Sequence, residues 1–144
     1  FDAFGTFPKT KLMSDVDLKF IDRFQNNGGS GLEKEQVEKI LSDKGFDNIE
    51  LIKGNVFESL PEYLTTNPAT RISVLHLDMD VKEPTEFALD ILYQKVVPNG
   101  LIIIDDYGTV AGATDAVAEF SKKHGLEIRK LTNYSTPVYI QKPS

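Results

Sequence analysis

Apolar residues along the chain fall into alternating strand-like and helix-like blocks. Ile72–Leu77 and Leu101–Ile104 are compact aliphatic runs, as expected of buried strands in a parallel sheet. Between and around them the apolar positions recur at helical spacing. Val16, Phe20, Ile21 and Phe24 predict a first helix, opened by Ser14 as N-cap with Asp15 and Asp17 in its first turn. Val37, Ile40 and Leu41 predict the inward face of a second helix over about 33–44, closed by Gly45. Further helices are predicted over about 57–67, from Pro84 through Leu92, and over 111–124, where Gly125 stops the last. Ile49–Ile52 reads as a short strand and Phe1–Phe7 as a strand end running into a loop. Leu126–Leu131 and Pro137–Gln141 flank a Thr-Asn-Tyr-Ser turn and predict an antiparallel hairpin.

This order predicts an α/β fold: a doubly wound, mostly parallel sheet with helices on both faces and an antiparallel edge at the C-terminus. At 144 residues the chain is one domain in length. It opens on Phe1 in what reads as the end of an element, which predicts an N-terminally truncated domain. Asn26–Gly31 is glycine-rich but follows a helix, so it reads as a linker.

Charge and composition narrow the partners. The net charge of −6 argues against nucleic acid and against an anionic membrane surface. The absence of cysteine excludes disulfides and thiolate metal sites. No apolar run approaches the roughly 20 residues of a membrane span, and no signal peptide is visible, so a cytoplasmic location is expected.

The chemistry concentrates at two strand ends, Leu77-Asp78-Met79-Asp80 and Ile104-Asp105-Asp106-Tyr107. Ligands in open α/β sheets bind beyond the carboxyl ends of the strands. One crossover joins these two strands, which makes them neighbours and sets Asp78 beside Asp105, with Asp106 one step on. Converging carboxylates repel, and a hard divalent cation such as Mg²⁺ would relieve them. The plainer alternative is that Asp78 and Asp80 cap the next helix while Asp105 and Asp106 face solvent. His76 shares the Asp78 face of its strand and is expected to be buried and hydrogen-bonded. Tyr107 is expected to shape a pocket wall, and His124 sits near a helix C-terminus, where the dipole favours it, with no functional role.

These segments resemble the macrocin O-methyltransferase family. The matching text is LHLDMDVKEPTEFALDIL (Leu75–Leu92), VPNGLIIIDDYG (Val97–Gly108) and GATDAVAEF (Gly112–Phe120). Upstream, IELIKGNVFESLP (Ile49–Pro61) and FDAFGTFP (Phe1–Pro8) resemble family segments in the same order. The resemblance implies S-adenosylmethionine as cofactor, a Rossmann-like methyltransferase sheet and a divalent metal at Asp78, Asp105 and Asp106, with Asp78 and Asp105 carrying the catalysis. It also implies ribose binding by Asp2 and an adenine-side loop at Gly54, Asn55 and Phe57. The expected reaction is methylation of a hydroxyl on a sugar or similar small molecule, in a protein that tends to form homo-oligomers.

Three departures stand out. Lys82 stands where the family usually has Tyr, which bears on substrate choice, and Asn99-Gly100 stands where it usually has Gly-Gly. The glycine-rich turn after the family's first strand has no counterpart here, which implies a sheet lacking that strand. Two alternatives follow. One is a haloacid-dehalogenase-like phosphatase or phosphotransferase, suggested by Asp78-Met79-Asp80-Val81, although the order of motifs differs from that family. The other is a truncated domain that only binds or dimerises.

Overall fold

The computed structural model describes residues 1–10 and 13–144. Its elements are α1 (Asp15–Asn26), α2 (Lys34–Asp43), α3 (Val56–Thr66), β1 (Ile72–Leu77), α4 (Lys82–Leu92), β2 (Val96–Ile104), α5 (Ala111–His124), β3 (Arg129–Lys130) and β4 (Val138–Gln141). A 3₁₀ turn, Tyr93–Lys95, links α4 to β2.

The sheet order is β1-β2-β4-β3. β1 and β2 are parallel, with Leu75 opposite Ile102 and Leu77 opposite Ile104. β2 and β4 are antiparallel, pairing Ile102 with Ile140 and Ile104 with Val138. β3 closes the C-terminal hairpin against β4. The α/β class and the antiparallel edge thus follow the sequence pattern. Among the described strands one pairing is parallel and two are antiparallel, so the parallel share is smaller than the pattern suggests.

Period-two alternation puts Leu75, Leu77, Ile102, Ile104, Val138 and Ile140 on one face. They form the main core with Leu60 of α3, Leu89 and Leu92 of α4, and Val117 and Phe120 of α5. The opposite face is more open: Val74 is 55% exposed and His76 is exposed, while Leu101 and Ile103 are half-buried. Among the described residues, that face carries no buried strand side chain. The expectation of a buried His76 fails, because its side chain points to that open face.

Other local readings shift in the structure. Ile49–Ile52 forms no strand; a single parallel bridge joins Asp2 to Lys53 instead. The strand-like start over Phe1–Phe7 reduces to that same bridge. β2 begins at Val96, with a register irregularity opposite Ile72 and Val74. The strand expected over Leu126–Leu131 shortens to Arg129–Lys130. Helix α2 buries no residue, and Ile40 is 42% exposed, because no layer of the described fold lies against its apolar face. Val16 likewise faces out, at 58% exposed. Gly125 ends α5 as expected, in the left-handed conformation at φ 63° that glycine adopts without steric cost.

Candidate active site

β1 and β2 run parallel, so their carboxyl ends share one rim of the sheet. The Asp105 N–H donates to Leu77 O at 3.0 Å, which continues the ladder one step past both strands. That step sets Asp78 and Asp105 side by side. The carboxylates of Asp78, Asp105 and Asp106 each offer an oxygen within 4.8 Å of the others. Asp78 is exposed, Asp105 half-buried and Asp106 buried.

Asp106 is fixed from two sides. Its carbonyl accepts from the N–H groups of Thr109 and Val110, both at 3.0 Å. Its Oδ2 accepts the N–H of Asp80 at 3.0 Å. Burial holds its carboxyl above the usual range. The Asp80 N–H opposes that rise, and the charges of Asp78 and Asp105 add to it. Asp80 is pushed up to about 6, mainly by burial and then by Asp106, Asp78 and Asp105. The donor set is all oxygen and crowded with negative charge, which suits a hard divalent cation.

The helix-cap alternative does not hold. The N-cap of α4 is Val81, which has no side-chain cap bond, so neither Asp78 nor Asp80 serves there. Asp80 instead takes the left-handed conformation, φ 61°, and turns into a cavity of about 280 Å³. Asp2, Gly54, Asn55, Phe57 and Asp78 line the same cavity, so the expected cofactor side and one expected metal ligand meet there. Phe7, Met13 and Phe24 add an apolar wall from the segment around α1.

The fit of S-adenosylmethionine rests on how those residues are held. Asp2 pairs by backbone with Ile52 and Gly54, at 3.1 and 3.0 Å. Its Oδ1 accepts from Phe4 N at 2.6 Å, leaving the other carboxylate oxygen for ribose hydroxyls. The Asn55 side chain accepts from Phe57 N at 3.2 Å and so caps α3. Phe57 packs on Phe87, ring centres 4.8 Å apart, and presents its remaining surface to the cavity. These residues fit an adenosyl group.

Two expected contributors lie elsewhere. Tyr107 is not among the cavity-lining residues and packs against the main core. Lys82 turns its amine to Glu119 at 2.8 Å and Glu86 at 3.6 Å, away from the cavity. His124, in the last turn of α5, packs on Phe120 with ring centres 4.4 Å apart. Sequence reasoning gave no functional role to Asp80, although the Asp-x-Asp spacing at the strand end was a usable signal. Nothing in the sequence marked Phe7, Met13 or Phe24 as cavity wall.

This open α/β sheet, with adjacent parallel strands ending in carboxylates beside an apolar cavity, has the Rossmann-like methyltransferase fold of its solved structural neighbours. The family described as Macrocin-O-methyltransferase (TylF) matches residues 1–142, and the chain belongs to it. It is 28% identical over 127 residues to the 8-demethyl-8-(2,3-dimethoxy-alpha-L-rhamnosyl)-tetracenomycin-C 4'-O-methyltransferase of Streptomyces olivaceus, covering 87% of this chain and 47% of that protein. It is 33% identical over 103 residues to the demethyldecarbamoylnovobiocin O-methyltransferase of Streptomyces niveus, covering 69% of this chain and 39% of that protein. The solved O-methyltransferase NovP superposes with a TM-score of 0.82 at 25% identity, over 97% of this chain and 57% of NovP. The chain thus spans less than half the length of these two curated relatives. Family membership decides against the phosphatase alternative.

Proposed function

We propose that the chain forms the metal- and acceptor-binding part of an S-adenosylmethionine-dependent, divalent-metal-assisted O-methyltransferase. Its acceptor is a hydroxyl on a sugar or similar small molecule. The observation that carries this reading is the meeting of Asp78, Asp105 and Asp106 within 4.8 Å at the edge of a cavity that also holds Asp2, Gly54 and Phe57. The relatives support the acceptor class, since one is named for 4'-O-methylation of a rhamnosyl-bearing tetracenomycin and the other for O-methylation of demethyldecarbamoylnovobiocin. A homo-oligomer is part of the proposal.

In this reading Asp78, Asp105 and Asp106 hold a divalent cation. A cation held by these three carboxylates would supply Lewis acidity toward the acceptor hydroxyl. S-adenosylmethionine, when bound, supplies an electrophilic methyl group and a neutral sulfur leaving group. Asp2 orients the ribose, and Phe57 walls the adenine side. Asp80 lines the cavity beside Asp78 and is outside the proposed ligand trio, which supports assigning it the acceptor's proton in this reading. Phe7, Met13 and Phe24 exclude water from the acceptor side.

The test is calorimetric titration of the chain with S-adenosylmethionine and with Mg²⁺, paired with radiolabelled methyl transfer to a panel of deoxysugar glycosides. Saturable binding of both, with transfer abolished by EDTA and restored by Mg²⁺, is the expected result. Transfer unaffected by EDTA would remove the metal role. Failure to bind S-adenosylmethionine would leave a binding or dimerisation domain.

A further inference from the structure

We propose that Asp17 is a positioning residue that holds α1 and both carboxylate-bearing loops in one arrangement, as a shared negative cap for three helix N-termini. The proposal rests on reading the Asp78–Asp105–Asp106 group as a methyl-transfer site.

Asp17 is 1% exposed and sits in the first turn of α1, where its N–H donates to Ser14 Oγ at 3.1 Å. Its Oδ2 accepts from Lys82 N, the first amide of α4, at 3.3 Å. Its Oδ1 is buried without a hydrogen-bond partner. That oxygen lies against Gly112 in the first turn of α5. A Cβ on Gly112 would overlap Asp17 Oδ1 and come within 2.8 Å of Lys82 N. The N-termini of α1, α4 and α5 therefore converge on one carboxylate.

Electrostatics explains why a charged group is kept there. A helix N-terminus carries roughly +0.5 of an elementary charge, so three brought together repel one another. α4 and α5 begin after Val81 and Val110, neither of which has a side-chain cap bond. Asp17 supplies from a third element a buried negative charge beside both; α4 has Glu83 in its own first turn, whereas α5 has no acidic residue there. An unpaired buried carboxylate oxygen is otherwise costly, and it persists where the surrounding dipoles offset the loss of water.

The placement ties this clasp to the site. Lys82 follows directly on the Asp78–Val81 loop, and Gly112 follows on the Asp105–Val110 loop. Met13 and Phe24, on either side of Asp17 in sequence, line the cavity. A second contact, Thr10 Oγ1 donating to Glu83 Oε2 at 2.6 Å, fastens the same segment to α4. A change at Asp17 thus reaches the acceptor wall and the carboxylates together, although Asp17 touches neither ligand.

The experiment uses the whole chain with Asp17→Asn, which keeps size and an acceptor for Lys82 N but removes the charge; circular dichroism checks its fold. Hydrogen–deuterium exchange is expected to rise by about 10-fold in 13–26, 78–82 and 105–112, with 101–104 unchanged. Mg²⁺ affinity is expected to fall by about 10-fold, the scale seen when a group supporting metal ligands is lost. KM for the acceptor should rise more than kcat falls. Gly112→Ala should reproduce the exchange change in the wild-type background and lose part of its effect beside Asp17→Ala, as a coupled pair does, with the close approach to Lys82 N remaining in both.

Unchanged exchange in 13–26 in the Asp17→Asn protein would overturn the clasp. Raised exchange with unchanged Mg²⁺ affinity would reduce Asp17 to a purely structural role and overturn positioning. A wild-type chain that takes up no Mg²⁺ would overturn the site reading and positioning with it, while the exchange measurement, needing no metal, still judges the clasp separately.

Discussion

The Asp80 N–H donates to Asp106 Oδ2 at 3.0 Å, so the loop after β1 and the loop after β2 are tied by one hydrogen bond across the sheet rim. A single carboxylate therefore serves both as a candidate metal ligand and as the brace of the neighbouring loop. Asp106→Asn keeps an acceptor for Asp80 N but weakens the negative charge. It is expected to fold normally and to lose at least about 10-fold in Mg²⁺ affinity. Calorimetry or a Mg²⁺-dependent thermal shift reads this directly.

Asp80 gives a pH signature in the metal-free protein. Its carboxyl is pushed up to about 6 from 3.8, by burial first and then by Asp106, Asp78 and Asp105. A raised carboxyl binds its proton more tightly in the folded state. Its contribution to stability is complete below pH 3.8 and is lost as pH rises through about 6. In EDTA, Asp80→Asn should be more stable than wild type at pH 7.5, with the gap closing towards pH 4. Asn tolerates the left-handed backbone at this position, so the comparison is not confounded by strain. Parallel melting curves across pH for the two proteins would contradict the assignment.

Phe57 packs on Phe87 and lines the cavity. Phe57→Ala removes its ring pair with Phe87, worth about 0.5–1.5 kcal/mol beyond the lost area, and also the wall assigned to the adenine side. Chemical denaturation should show the destabilisation, and S-adenosylmethionine affinity should fall by roughly 10-fold, the equivalent of about 1.4 kcal/mol. A stability loss with unchanged affinity would place the cofactor elsewhere.

Ile102 is fully buried at the centre of the sheet, between Leu75 on β1 and Ile140 on β4. Ile102→Ala is expected to cost about 2–5 kcal/mol in urea denaturation. Val74→Ala on the open face should cost far less, since that side chain is already 55% exposed.

Much of the framework was legible along the chain. Leu101–Ile104 announced a strand because an aliphatic run this short fits few other places, although only Ile102 and Ile104 of it are buried. Ser14 and Gly125 marked helix ends because an N-cap acceptor and a left-handed glycine meet local backbone needs. The carboxylate trio was legible because Asp78 and Asp105 follow directly on strands, with Asp106 next in the chain, and parallel neighbours bring such residues to the same rim. Ile49–Ile52 misled because an apolar run becomes a strand only where a neighbour offers its backbone, and here the pairing amounts to a single bridge. Ile40 misled in the same way, since helical periodicity states which face is apolar but not what lies against it.

The sequence by itself determined the class of fold, the strand ends and the residue types gathered there, because these follow from local periodicity and from the parallel pairing of neighbours. Only the tertiary structure decided that Asp80 faces the cavity, that His76 lies in the open and that Lys82 turns away to Glu119. It alone joined Asp17 to Lys82 and Gly112. Those outcomes depend on three-dimensional packing between segments far apart in the chain, and no local pattern carries the direction in which a side chain meets a distant helix.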